Sequence, residues 1–237
     1  SDYDFGAGVT FGSATYTQNA GTGVFDVDNG PVSFLGNVVT NGTFSVDSNG
    51  GNITVAGNIS ATNVTDTVSL SDGGGSGTIT IGGTISGVRS VALTGDTEIK
   101  LGGDITTTNG ANNDVTITGP ATLTANVDID VTANSSDTDE GDITFTSTIN
   151  DTDGTSPFSL TLDGDGGAIA VQGIIGGTNK VGAISINNTG GDGSVTLAGI
   201  GNSSANSGAG AAGNEGLVNI GNTASASVNF GGGFYMT

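Results

Sequence analysis

A chain of 237 residues is long enough for one large domain or one elongated repeat array. Its three basic residues, Arg89, Lys100 and Lys180, stand against 23 acidic ones for a net charge of −20, which argues against nucleic-acid binding and against attraction to anionic membranes, both of which need clustered Lys and Arg. With no Cys, His or Trp, disulfides, thiol chemistry and imidazole bases are excluded.

Val, Ile and Thr recur between clusters of Gly, Asn, Asp and Ser, the pattern of short strands between turns. One seven-position phrase keeps returning: large apolar, any, large apolar, any, small, any, apolar. In chain order it reads "VTFGSAT" from Val9, "VSFLGNV" from Val32, "ITVAGNI" from Ile53, "ITIGGTI" from Ile79 and "IKLGGDI" from Ile99. It continues as "ATLTANV" from Ala121, "ITFTSTI" from Ile143, "IAVQGII" from Ile169, "VTLAGIG" from Val195 and "VNFGGGF" from Val228. The copies from Val9 and Val195 depart at the last position.

Side chains alternate between the faces of a strand, so positions one, three, five and seven are predicted to share a face. Position three is always large and apolar: Phe11, Phe34, Val55, Ile81, Leu101, Leu123, Phe145, Val171, Leu197, Phe230. Position five is always small, for example Gly36, Gly57, Gly83, Gly103 and Gly173, which predicts a bend or the close approach of another backbone. A second short strand precedes many copies: "FSV" at Phe44, "VSL" at Val68, "VAL" at Val91, "FSL" at Phe158 and "ISI" at Ile184.

A repeat of this size, all-β and stacked, predicts a parallel β-helix solenoid. The expectation is a single domain over 1–237 with about ten coils of roughly 20–26 residues, a segment of a longer repetitive chain. Each copy of the phrase is expected to occupy the same place in the next coil. The stretch "NSSANSGAGAAGNEG", residues 202–216, reads as an extruded flexible loop.

The phrases "GNITVAGNI", "GSGTITIGGTI" and "GLVNIGNTASASVNFGGGF" resemble the β-strand repeats of very large bacterial surface proteins, of the filamentous-haemagglutinin type and of autotransporter passenger rods. The resemblance implies an exported, extracellular β-helix with adhesive or scaffolding roles. It brings no catalytic or receptor-binding motif with it.

Acidic turns are candidate cation sites, because calcium takes several oxygen ligands on flexible loops. The candidate residues are Asp137, Asp139, Asp142, Asp151, Asp153, Asp163 and Asp165, with ordinary Asp turn chemistry as the plainer account. No cofactor is required by any motif, and calcium is the candidate ion. The outward Thr column at position two lacks the partner column that an ice-binding face wants. Carboxylate pairs suited to glycoside hydrolysis are plentiful, but the scattered cations and the distribution of Tyr3, Tyr16 and Tyr235 argue against an enzyme.

The sequence therefore predicts a structural, extracellular protein of a bacterial cell surface, a rod assembling into a fibre, sheath or lattice. The alternative is an adhesin that recognises glycan or host protein through its loops, with 202–216 as the first candidate. Open β-helix ends expose strand edges. Self-assembly into a homo-oligomer or polymer is thus expected through Val9, Phe11, Val228, Phe230 and Phe234, with no nucleic-acid partner and no membrane insertion.

Overall fold

The computed structural model describes residues 2–19, 21–108, 112–131, 141–152, 155–187, 193–201, 214–221 and 227–232. The chain is an all-β parallel solenoid. Each turn passes over three faces, and strands away from the ends pair in parallel with the strands one turn before and after them. In the first turn the three faces hold Asp2–Phe5, Val9–Phe11 and Tyr16–Thr17. No helix forms among the described residues, so none is long and apolar enough to cross a membrane.

Strands of three to five residues form because one or two apolar side chains point inward from each, flanked by turn residues. Those inward residues stack into columns. On the first face Tyr3, Phe25, Val46, Leu70, Leu93, Ile117, Phe145, Val171, Leu197 and Phe230 lie one above another. On the third face Val38, Ile59, Ile85, Ile105, Ile129, Leu162, Ile186 and Ile220 do the same. The interior residues are almost wholly removed from water, and each such Val, Ile or Leu contributes about 1.5–3 kcal/mol. The amino-terminal turns are packed with rings: Phe11 stacks on Phe34 at 4.6 Å, and Phe44 meets Phe34 edge-on at 5.3 Å.

The coils are not ten equal ones. Seven turns carry three separate strands, ending with Ile143–Phe145, Ile149–Asp151 and Leu160–Asp163. In the next two turns, single seven-residue strands, Ile169–Ile175 and Ser194–Ile200, run across the first and second faces together. Ser227–Phe230 then begins another pass over the first face.

The expectation that every copy of the phrase holds one place is also corrected. The six copies from Val9 to Ala121 stack on the second face. The four from Ile143 onward stack on the first. Ala121 is followed on its own face by Ile149, not by Ile143, which lies against Val115. "FSL" and "ISI" likewise sit at the start of, or within, third-face strands, Leu160–Asp163 and Ile184–Asn187. The second-face column therefore runs Phe11, Phe34, Val55, Ile81, Leu101, Leu123 and then Asp151.

The reason lies in the geometry of the phrase. It is not one strand but a strand, a three-residue corner and the start of the next strand, as in Ile53–Val55, residues 56–58 and Ile59–Ala61. Position five is the middle of that corner and is not in the core. Its backbone lies against the backbone of the preceding turn: a Cβ on Gly36 would fall 2.4 Å from the Ala14 carbonyl oxygen, and one on Gly103 2.6 Å from the Gly83 carbonyl carbon. The corner between the first and second faces makes the same demand in the seventh and eighth turns, where a Cβ on Gly173 would sit 2.2 Å from the Ser147 carbonyl carbon. One phrase therefore suits either corner.

Candidate functional site

Polar side chains at the corners tie each turn to the next. The Asn37 Oδ1 accepts a hydrogen bond from the Asn58 backbone N–H at 2.9 Å, and the Asn58 Oδ1 accepts one from Thr84 at 3.0 Å. Asp104 and Asn126 serve Asp128 and Ser159 in the same way, each at 2.9 Å. These residues fill position six of the phrase, which the sequence pattern left open; its run of Asn, Asn, Thr, Asp and Asn was the available signal. A second ladder joins Asn63 Nδ2 to Asn41 Oδ1 at 2.8 Å and Asn41 Nδ2 to the Asn19 carbonyl at 3.0 Å.

Several acidic candidates belong to this system of ties. Asp142 Oδ1 accepts from the Ala168 N–H at 2.7 Å, and its own N–H donates to Asp114 Oδ1 at 2.9 Å. Asp163 Oδ1 accepts from the Asp165 N–H at 3.1 Å, a turn that holds Asp165 at a φ of 44°. Asp151 is buried at the end of the second-face column, and its Oδ2 accepts from the Phe158 N–H at 2.6 Å. That bond fixes the far side of a long corner, where the second to sixth turns spend three residues. Asp137, Asp139 and Asp153 lie outside the described residues. Among the described residues no three Asp or Glu side chains form a group able to hold a metal ion.

The structure brings together an acidic strip that the sequence reading missed. Asp130 lies directly across from Asp163 of the next turn on the third face, with Asp128 on its own strand and Asp104 in the turn before. Burial, then Asp163 and Asp165, raise the Asp130 carboxyl above the usual carboxylate range; burial, then Asp104, Asp130 and Asp163, do the same for Asp128. The alternation of Asp128 and Asp130 is visible in the sequence, but Asp104, Asp163 and Asp165 join it only because their turns stack.

The sign of the consequence is fixed. A carboxyl with a raised pKa in the fold binds its proton more tightly folded than unfolded, so it destabilises the protein above that pKa and is relieved as pH falls through it. Asp130→Asn is therefore expected to raise the denaturation midpoint at neutral pH. Its advantage over the wild type should close as the pH is lowered through the carboxyl range. A gap that stays constant down to full protonation would remove the electrostatic cause.

The two ends carry the residues expected to mediate assembly. Val9 and Phe11 form part of the first turn, half-buried against the core, and Val228 packs similarly at the other end. Tyr3 and Phe230 terminate the same interior column and remain 44% and 47% exposed. Phe234 and residues 202–213 of the expected loop lie outside the described residues. Asn214 Nδ2 donates to the Gly182 carbonyl, and Glu215 pairs with Lys180.

These features define a parallel β-solenoid with acidic turns and apolar, strand-edged ends, a fold compatible with β-helix repeat proteins. No protein-family model, no curated protein and no solved structure matches the chain.

Proposed function

We propose that this protein is a non-catalytic structural rod of a bacterial cell surface, exported and assembled through its end turns into a fibre, sheath or lattice. The observation that carries the reading is the state of the first-face column. It is closed to water along its length and ends at both extremities in an exposed aromatic ring, Tyr3 and Phe230. Among the described residues the outermost strand at each end is paired on one side only, and an unpaired strand edge is a template for further strands. The net charge of −20 opposes side-by-side contact, and a divalent cation such as calcium would screen that repulsion. A glycan-binding adhesin needs the same rod, and residues 202–213 of the loop it would use lie outside the described residues.

The test is negative-stain electron microscopy of the purified chain in calcium and in excess chelator, with Phe230→Lys alongside. Fibres or sheets in calcium that are lost in Phe230→Lys are the expected result. Short separate rods under both conditions would sink the assembly reading.

A further inference from the structure

Of the three cations in the chain, two are already paired: Lys100 with Glu98 at 3.3 Å, and Lys180 with Glu215. Arg89 makes no ion pair among the described residues, although 23 acidic residues surround it in sequence. Its Nε is sealed from solvent and has no hydrogen-bond partner. A donor sealed in this way is out of reach of a ligand in solution, so the terminal Nη groups are the ones that can meet a ligand.

The surroundings of Arg89 have a structural origin. It is the single residue between the third-face strand Ile85–Val88 and the first-face strand Ser90–Thr94. The same corner takes residues 62–66 in the turn before and 108–114 in the turn after. Hydrogen bonds cross this short corner: Thr108 Oγ1 donates to the Val64 carbonyl at 3.0 Å and to that of Val88 at 3.3 Å, and the Arg89 N–H donates to the Asp66 carbonyl at 2.6 Å. Beside it is a notch of about 250 Å³ between two adjacent turns, lined by Arg89, Ser90, Asn112, Asp114 and Thr116 among others.

We infer that this notch binds the carboxylate of a small, otherwise uncharged, hydroxyl-bearing ligand, a uronic-acid unit of a saccharide. A guanidinium offers a planar fork of donors that matches a carboxylate. Ser90, Thr116 and Asn112 supply hydroxyl and amide groups for sugar hydroxyls. The volume is below the roughly 300–1,000 Å³ of drug-sized sites, so the notch takes one unit. Asp114 and the net charge of −20 repel a second negative charge, which selects a singly charged ligand over a polyanion. The inference stands apart from the assembly reading, because it concerns the side of the rod and not its ends.

The test is a titration of the intact, isotopically labelled chain with glucuronate, glucose, acetate and sulfate, read by amide NMR shifts. Saturable shifts confined to residues 88–92 and 112–116 are expected with glucuronate and absent with glucose. Arg89→Gln should weaken binding roughly tenfold or more, and Arg89→Lys, which keeps the charge but loses the fork, by less. Unchanged spectra elsewhere in both variants show that the fold is kept. Asp114→Asn preserves the acceptor for the Asp142 N–H and should tighten glucuronate several-fold. No saturable shift, shifts that persist in Arg89→Gln, or acetate or sulfate binding as tightly as glucuronate would each overturn the assignment.

Discussion

Gly119→Ala is expected to be among the most damaging single-methyl changes in the chain, lowering stability by roughly 3 kcal/mol or more. Gly119 has a φ of 122°, a conformation that a residue with a side chain rarely adopts, and a Cβ there would lie 1.8 Å from the Gly95 carbonyl oxygen of the turn before. The neighbouring backbone has little freedom to retreat. Gly95 N–H donates to the Thr118 carbonyl at 2.9 Å, and Ile99 N–H to the Pro120 carbonyl at 2.8 Å, so relief of the clash pulls on two inter-turn bonds. Gly12 is the control. Nothing lies within 4 Å of a Cβ built there, so Gly12→Ala should stay within about 0.5 kcal/mol of the wild type. Urea denaturation of the two variants decides the matter: equal midpoints would show that close approach of turns does not govern these glycines.

Phe34→Ala carries the second large effect, about 3–5 kcal/mol, the range for truncating a buried aromatic. Phe34 is 1% exposed; it stacks on Phe11 at 4.6 Å and meets Phe44, Phe25 and Tyr16 edge-on at 5.3, 5.5 and 5.5 Å. In a solenoid each turn touches only its neighbours, so the damage should stay local. Hydrogen exchange is expected to quicken at amides of the strands Val9–Phe11, Val32–Phe34 and Ile53–Val55, while Ile184–Asn187 keeps its protection. Uniform loss along the whole chain would instead mean that the turns unfold as one unit.

The Asp130 strip and the Phe34 ring cluster differ in how far the sequence announced them. Phe34 was visible because position three is large and apolar in every copy of the phrase, a local alternation that any strand with one buried face must show. Asp130 and Asp163 are far apart in the chain and meet only because their turns stack. The position-six tie, Asn37 to Asn58 and Asn58 to Thr84, lay between these cases: its residue types recur at a fixed place, but the bond is made to a neighbouring turn and has no local expression.

Sequence alone determined the all-β parallel solenoid, the identity of the inward column residues and the need for small residues at position five. These follow from side-chain alternation and from the volume left where two turns meet. Tertiary structure decided which corner each copy of the phrase would turn. A strand, a three-residue bend and a strand fit the second-to-third corner at Ile53 and the first-to-second corner at Ile143 alike. The ladders between turns are bonds of the backbone and do not distinguish Ile143 beside Val115 from Ile143 beside Ala121. The choice falls to the lengths of the connections between strands and to the packing of each inward side chain on its neighbours. The change of corner ends the second-face column at Asp151 and merges two faces in the turns that follow. The notch at Arg89 has the same kind of origin: it forms only where the residues from Arg89 to Ala92 stack against Asn112, Asp114 and Thr116 of the next turn.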